Sequence, residues 1–115
     1  MGEECLFCGL HQGRIPSATV YENEELYAFR DIHPQAPTHI VLIPKPHITR
    51  LSDLTDDTAP LMGRLLVAAT RIARSAGLEA GGYRVVVNCG RDGGQTVFHL
   101  HAHLLGGRPM RWPPG

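Results

Sequence analysis

The sequence predicts an α+β domain in which five antiparallel strands form one sheet and a single main helix covers one face. Three observations carry that reading. Short β-branched and aromatic runs recur along the chain with turn residues between them, the pattern of strands joined by tight turns. Only the stretch between Thr55 and Gly77 keeps a convincing helical period. With 13 Gly and 9 Pro in 115 residues, the chain has many turns and little room for long helices. That length is expected to make one domain, residues 1–115.

Thr19-Val20-Tyr21 and Leu26-Tyr27-Ala28-Phe29, with the polar turn Glu22-Asn23-Glu24-Glu25 between them, predict a hairpin. The loop from Ile32 to Pro37 holds two prolines and is excluded from a helix interior. His39-Ile40-Val41-Leu42-Ile43 follows as a buried third strand, closed by Pro44. In the helix, Leu61, Leu65, Ala68 and Ile72 recur at steps of four and three, and Arg64, Arg71 and Arg74 take the wet side. Thr55, Asp56 and Asp57 are its N-cap candidates, and Gly77 is placed for the C-cap. Tyr83 to Asn88 and Val97 to Leu105 supply the last two strands around the glycine-rich loop Gly90 to Gly94.

Eleven Lys and Arg balance eleven Asp and Glu, so no domain-wide field draws the chain to nucleic acid or to an anionic membrane. No run approaches the ~18 apolar residues of a membrane span, and the first five residues lack a secretory start, so a cytoplasmic location is expected. Seven histidines stand out, because imidazole is a nucleophile, a proton carrier and a metal ligand near neutral pH.

Three of them alternate with apolar residues in Phe98-His99-Leu100-His101-Ala102-His103-Leu104-Leu105. On a strand this places the three imidazoles on one face and Leu100, Ala102 and Leu104 on the other. Residues at i and i+2 can both ligate one ion, so a histidine metal centre competes with nucleophilic chemistry. At about 3.3 Å per residue, His99 and His103 lie roughly 13 Å apart on a straight strand, too far to share an ion without a bend. At least one of the three therefore has another job. Upstream, Gly90 to Thr96 can aim backbone N–H groups and a hydroxyl at an anion. Cys5-Leu6-Phe7-Cys8 reads as half of a zinc site or as a redox pair, with zinc favoured because no βαβ setting surrounds it. Cys89 is expected to be buried strand filler, and Lys45, Arg84 and Arg108 are expected to be solvated charges.

The run His99-Leu100-His101-Ala102-His103-Leu104-Leu105 resembles the signature of the histidine triad family of nucleotide hydrolases and transferases. Asp31-Ile32-x-Pro34-Gln35-Ala36-Pro37-Thr38-His39, Ile43-Pro44-Lys45-x-His47, Asn88-x-Gly90-x-Asp92-Gly93-Gly94-Gln95 and the ending Gly106-Gly107-Arg108-x-Met110-x-Trp112-Pro113-Pro114-Gly115 extend the resemblance to the Hint branch over nearly the whole chain. It implies a homodimer that binds purine nucleoside monophosphates and hydrolyses phosphoramidates. His101 matches the nucleophile, His103 the phosphate and leaving-group position, and His39 the imidazole behind them. Asp31 and Ile32 match ribose and base contacts, and Asn88, Gly94, Gln95 and Thr96 match the phosphate side. Trp112 is implied to lie near the partner's pocket. Cys5, Cys8, His47 and His99 match a structural zinc site. Thr96 stands where Ser is common in the branch, and Arg111 where His is common. A nucleotide-binding scaffold acting through protein partners, and a metalloenzyme using the triad as ligands, are the competing functions.

Overall fold

The computed structural model describes residues 5–115. It contains α1 (Leu6–His11), β1 (Thr19–Glu22), β2 (Leu26–Arg30), β3 (Thr38–Pro44), a 3-10 turn (Leu51–Asp53), α2 (Ala59–Ser75), β4 (Tyr83–Val86) and β5 (Ala102–Gly106). The five strands make one antiparallel sheet, as the sequence predicts, and their order is β1-β2-β3-β5-β4.

The period of two divides each central strand between two cores. Leu26, Ala28, Ile40, Leu42, Ala102 and Leu104 turn to α2, where they meet Leu61, Leu65, Ala68, Ala69, Ile72 and Ala73. Tyr27, Phe29, Val41 and Ile43 point the other way and pack with Phe7 and Leu10 of α1. His39 and His103 fall on this second face by the same alternation, and Val41 pairs directly with His103. The large helix thus buttresses the sheet from behind, and the chemistry-bearing side chains stand on the face that α1 only partly covers.

Three expectations need correction. Helix α2 starts at Ala59, later than Thr55, Asp56 or Asp57 would cap it. Residues 55–58 close a turn of their own, with the Thr58 N–H donating to the Thr55 carbonyl at 3.1 Å, and the N-cap Thr58 makes no side-chain cap bond. The helix end conforms: Gly77 takes φ +78°, Leu78 N–H reaches Ala73 O and Gly77 N–H reaches Arg74 O, a Schellman closure. The last strand is half its expected length, because Leu100 N–H donates to Ile48 O at 2.6 Å and pulls residues 97–101 off the ladder past the end of β3. Strand β4 likewise stops at Val86, before Asn88. Helix α1 was not anticipated, since six residues are too few to display a period. No helix among the described residues is long and apolar enough to cross a membrane.

Candidate active site and metal centre

Each central imidazole has its tautomer set by a fixed neighbour. His101 Nδ1 lies 2.7 Å from the His99 carbonyl, which can only accept, so Nδ1 carries the proton and Nε2 presents a bare lone pair. Burial holds His101 below the ordinary imidazole range, so the ring is neutral at pH 7. Phe7 packs edge-on against it, centroids 4.9 Å apart at 89°.

His103 is ordered from the opposite side. The Gln35 N–H donates to His39 Nδ1 at 3.0 Å, which leaves the proton of neutral His39 on Nε2. That proton is donated to His103 Nδ1 at 2.8 Å, and His103 consequently keeps its own proton on Nε2. Burial is the largest cause pushing His103 down to about 4, with the potential charges of His101 and His39 adding to it. Burial also lowers His39, against the pull of Asp31. The pair His101 and His103, ring centroids 5.0 Å apart, therefore offers one lone pair and one N–H side by side.

Asp31 Oδ2 stands 3.4 Å from His39 Nε2, so Asp31, His39 and His103 cluster like metal ligands. The Gln35 N–H argues against a cation there: it keeps a proton on His39 Nε2, the atom that would have to ligate. We read the group as a hydrogen-bonded relay.

Asp31, whose Oδ1 accepts from the His33 N–H at 2.8 Å, stands at a cavity of about 370 Å³ lined mainly by apolar side chains, among them Leu6, Phe7, Leu10, Ile15 and Phe29. Ile32, 85% exposed, lies on the same wall. The sequence reading missed Phe7, Leu10 and Phe29 as pocket residues. The alternation of Tyr27 and Phe29 on β2, carried on to Asp31 just past its end, held that signal for Phe29, whereas Phe7 and Leu10 lie on α1, too short to show a period.

The loop after β4 divides the remaining candidates. Gln95 is 6% exposed and its side chain is fully engaged: Oε1 accepts from Gly90 N–H at 2.9 Å, while Nε2 donates to Thr49 O at 2.9 Å and Val97 O at 3.1 Å. Its expected place among the nucleotide contacts becomes one of shaping the loop. Gly94 takes φ +81° in the turn that Gln95 braces. The side chains of Asn88 and Thr96 make no hydrogen bond among the described residues. Trp112 is 82% exposed and touches none of the imidazoles within the chain.

The second centre gathers Cys5, Cys8, His47 and His99, whose ligand atoms all lie within 4.8 Å of one another. His99 is fully buried and donates from Nε2 to the Pro44 carbonyl at 2.7 Å, which leaves Nδ1 as a lone pair facing Cys5 Sγ at 3.4 Å and Cys8 Sγ at 3.5 Å. His47 Nδ1 lies 3.4 Å from Cys8 Sγ. Tetrahedral zinc, with bonds of about 2.3 Å to sulfur and 2.05 Å to nitrogen, separates S and N ligands by about 3.6 Å. The donor set thus has the chemistry and spacing of a closed Cys₂His₂ site. His11 was not singled out from the sequence: its ring lies 6.4 Å from that of His99, and its buried Nε2 has no hydrogen-bond partner among the described residues.

Cys89 is half-buried outside the strands, its Sγ 3.2 Å from Ser52 Oγ, which corrects its reading as strand filler. Lys45, Arg84 and Arg108 are also engaged, on Glu22, the Arg111 carbonyl and the Gln35 carbonyl respectively.

Comparison with known proteins follows the same lines. The HIT domain family matches residues 12–110. A 14 kDa zinc-binding protein of Zea mays is 50% identical over 112 residues, 96% of this chain and 87% of that protein. The crystal structure of a HIT family hydrolase from Legionella pneumophila superposes with a TM-score of 0.96 at 51% identity, over 97% of this chain and 100% of that one. A histidine triad nucleotide-binding protein from Candida albicans superposes with a TM-score of 0.81 at 32% identity, over 96% and 83% of the two chains.

Proposed function

The chain belongs to the HIT domain family, and from that membership we propose that it is a Hint-branch hydrolase cleaving the P–N bond of purine nucleoside 5′-phosphoramidates through a nucleotidyl-histidine. The observation that carries the reading is the hydrogen bond from His101 Nδ1 to the His99 carbonyl, which leaves a neutral imidazole with its Nε2 lone pair free. Nε2 attacks the α-phosphorus while the P–N bond breaks, and His103 Nε2–H donates a hydrogen bond to the departing nitrogen, which takes up its proton from solvent as it leaves. The His99 carbonyl faces the charge that the His101 ring gains. Water then attacks phosphorus, the P–Nε2 electron pair returns to His101, and the proton of the water passes to solvent while His103 keeps its own.

Asp31 takes the ribose hydroxyls, and Ile32 with Phe7, Leu10 and Phe29 takes the purine. Asn88 and Thr96 take the phosphate oxygens with side-chain donors that have no hydrogen bond elsewhere among the described residues, and Gly94, whose N–H donates to the Arg91 carbonyl at 3.1 Å, shapes the turn beside them. In a homodimer Trp112 borders the partner's pocket. Cys5, Cys8, His47 and His99 would hold zinc, which supplies a cross-link and, with four protein ligands, no open position for chemistry.

The test is turnover of a lysyl adenylate phosphoramidate by wild type and His101→Ala. Loss of several orders of magnitude in kcat, with nucleoside monophosphate binding retained, is expected. Substantial turnover by the variant would remove His101 from the role of nucleophile.

A further inference from the structure

The segment that leaves β5 is bound to the loop that enters β3. Gly107, at φ +92°, lies so close to this loop that a Cβ there would stand 2.9 Å from Pro37 Cβ. Beside it, Arg108 donates to the Gln35 carbonyl from Nε at 3.2 Å and from Nη2 at 3.0 Å, and Nη1 donates to the Pro109 carbonyl at 3.0 Å. Residues 33–37 have few ways to hold themselves, because Pro34 and Pro37 lack N–H groups. Their other hydrogen bonds stay local: His33 N–H to Asp31, Gln35 Nε2 to the His33 carbonyl, and Gln35 N–H to His39. Among the described residues, Arg108 supplies the loop's only hydrogen bonds from outside residues 31–39.

Gln35 is also the residue whose N–H decides where His39 keeps its proton. We propose that Arg108 is a positioning residue which, by holding Gln35, fixes the proton order of the His39–His103 pair so that His103 presents an N–H to the leaving nitrogen. This rests on the phosphoramidate reading above and deepens it. Without the Gln35 N–H in place, His39 is free to carry its proton on Nδ1 and accept at Nε2 from His103 Nδ1–H. The order would then reverse, and His103 Nε2 would meet the departing amine with a lone pair. Arg108 is exposed and far along the chain from the triad, so nothing in its local sequence marks this role.

The experiment has two arms. Imidazole ¹⁵N correlation spectra of the free protein, recorded for wild type, Arg108→Ala, Arg108→Gln and Arg108→Lys, report the tautomers of His39 and His103 without any substrate. Wild type is expected to show both as Nε2–H, Arg108→Ala and Arg108→Gln to show a mixture with Nδ1–H at His39, and Arg108→Lys to restore much of the wild-type order. In kinetics, Arg108→Ala is expected to lower kcat about tenfold for alkylamine leaving groups, which need the His103 hydrogen bond, the effect of one lost hydrogen bond to a charged group. Turnover of a substrate with an acidic, self-sufficient leaving group should be within about twofold of wild type, and nucleoside monophosphate affinity unchanged. Wild-type tautomers in folded Arg108→Ala and Arg108→Gln, or an equal loss for both leaving groups, would overturn the proposal. If wild type turned over no phosphoramidate, the functional reading would fail, while the spectra would still decide whether Arg108 orders the pair.

Discussion

Replacing Gln95 by Ala separates the scaffold of the phosphate-side loop from its ligand contacts. The side chain makes three hydrogen bonds, one accepted from Gly90 N–H and two donated to the Thr49 and Val97 carbonyls. At about 1 kcal/mol net for each, the substitution costs about 3 kcal/mol, well inside a total stability of roughly 5–15 kcal/mol, so the variant stays folded. With a urea slope of about 1.5 kcal/mol/M the denaturation midpoint falls by about 2 M. Amide exchange of Gly90 should accelerate in step. Gln95→Glu sharpens the test: its carboxylate still accepts from Gly90 but faces two carbonyls it cannot donate to. It should be at least as destabilised at pH 7 and recover as the carboxyl protonates. A midpoint unchanged to within about 0.3 M in Gln95→Ala, together with lost nucleotide affinity, would refute the scaffold role and put the side chain on the ligand.

Three further outcomes are expected. Protein purified without chelators should carry one zinc per chain by metal analysis. Cys8→Ser should abolish it and lower Tm by on the order of 10 °C, whereas zinc surviving loss of both Cys5 and Cys8 would exclude the site. The His103 ring should titrate near pH 4 by NMR instead of near 6.5. Because its folded pKa is depressed, the unfolded chain takes up the proton first. Stability from this group is therefore full above about pH 6.5 and is lost as the pH falls towards 4; an ordinary midpoint would contradict the burial argument. Deleting residues after Met110 should change leaving-group preference more than nucleoside affinity, and an unaltered substrate profile in a dimeric truncation would remove Trp112 from the site.

Local pattern was a good guide wherever local pattern decides structure. The β-branched and aromatic runs at residues 26–29 and 39–43 found two of the strands, and the periodicity of Leu61, Leu65 and Ile72 found α2. The Cys5-x-x-Cys8 pair, read with the family resemblance, named the four residues that the fold gathers. What stayed hidden depends on contacts between distant segments. The bend at residues 97–101 comes from Leu100 N–H meeting Ile48 O, and it is this bend that sends His99 to the cysteines while His103 remains on the sheet. Gln95 was matched to the phosphate side by the family resemblance; that its amide is spent on Thr49, 46 residues away, is not written in the loop itself. Arg108 looked solvated for the same reason.

The nucleotidyl-histidine is tested by mass spectrometry of the protein quenched during turnover of a purine nucleoside phosphoramidate. One nucleotidyl adduct is expected, mapped to His101, forming and decaying with the reaction and absent from His101→Ala. A quenched, fully active enzyme with no adduct, or an adduct on His103 or His39 instead, would contradict it.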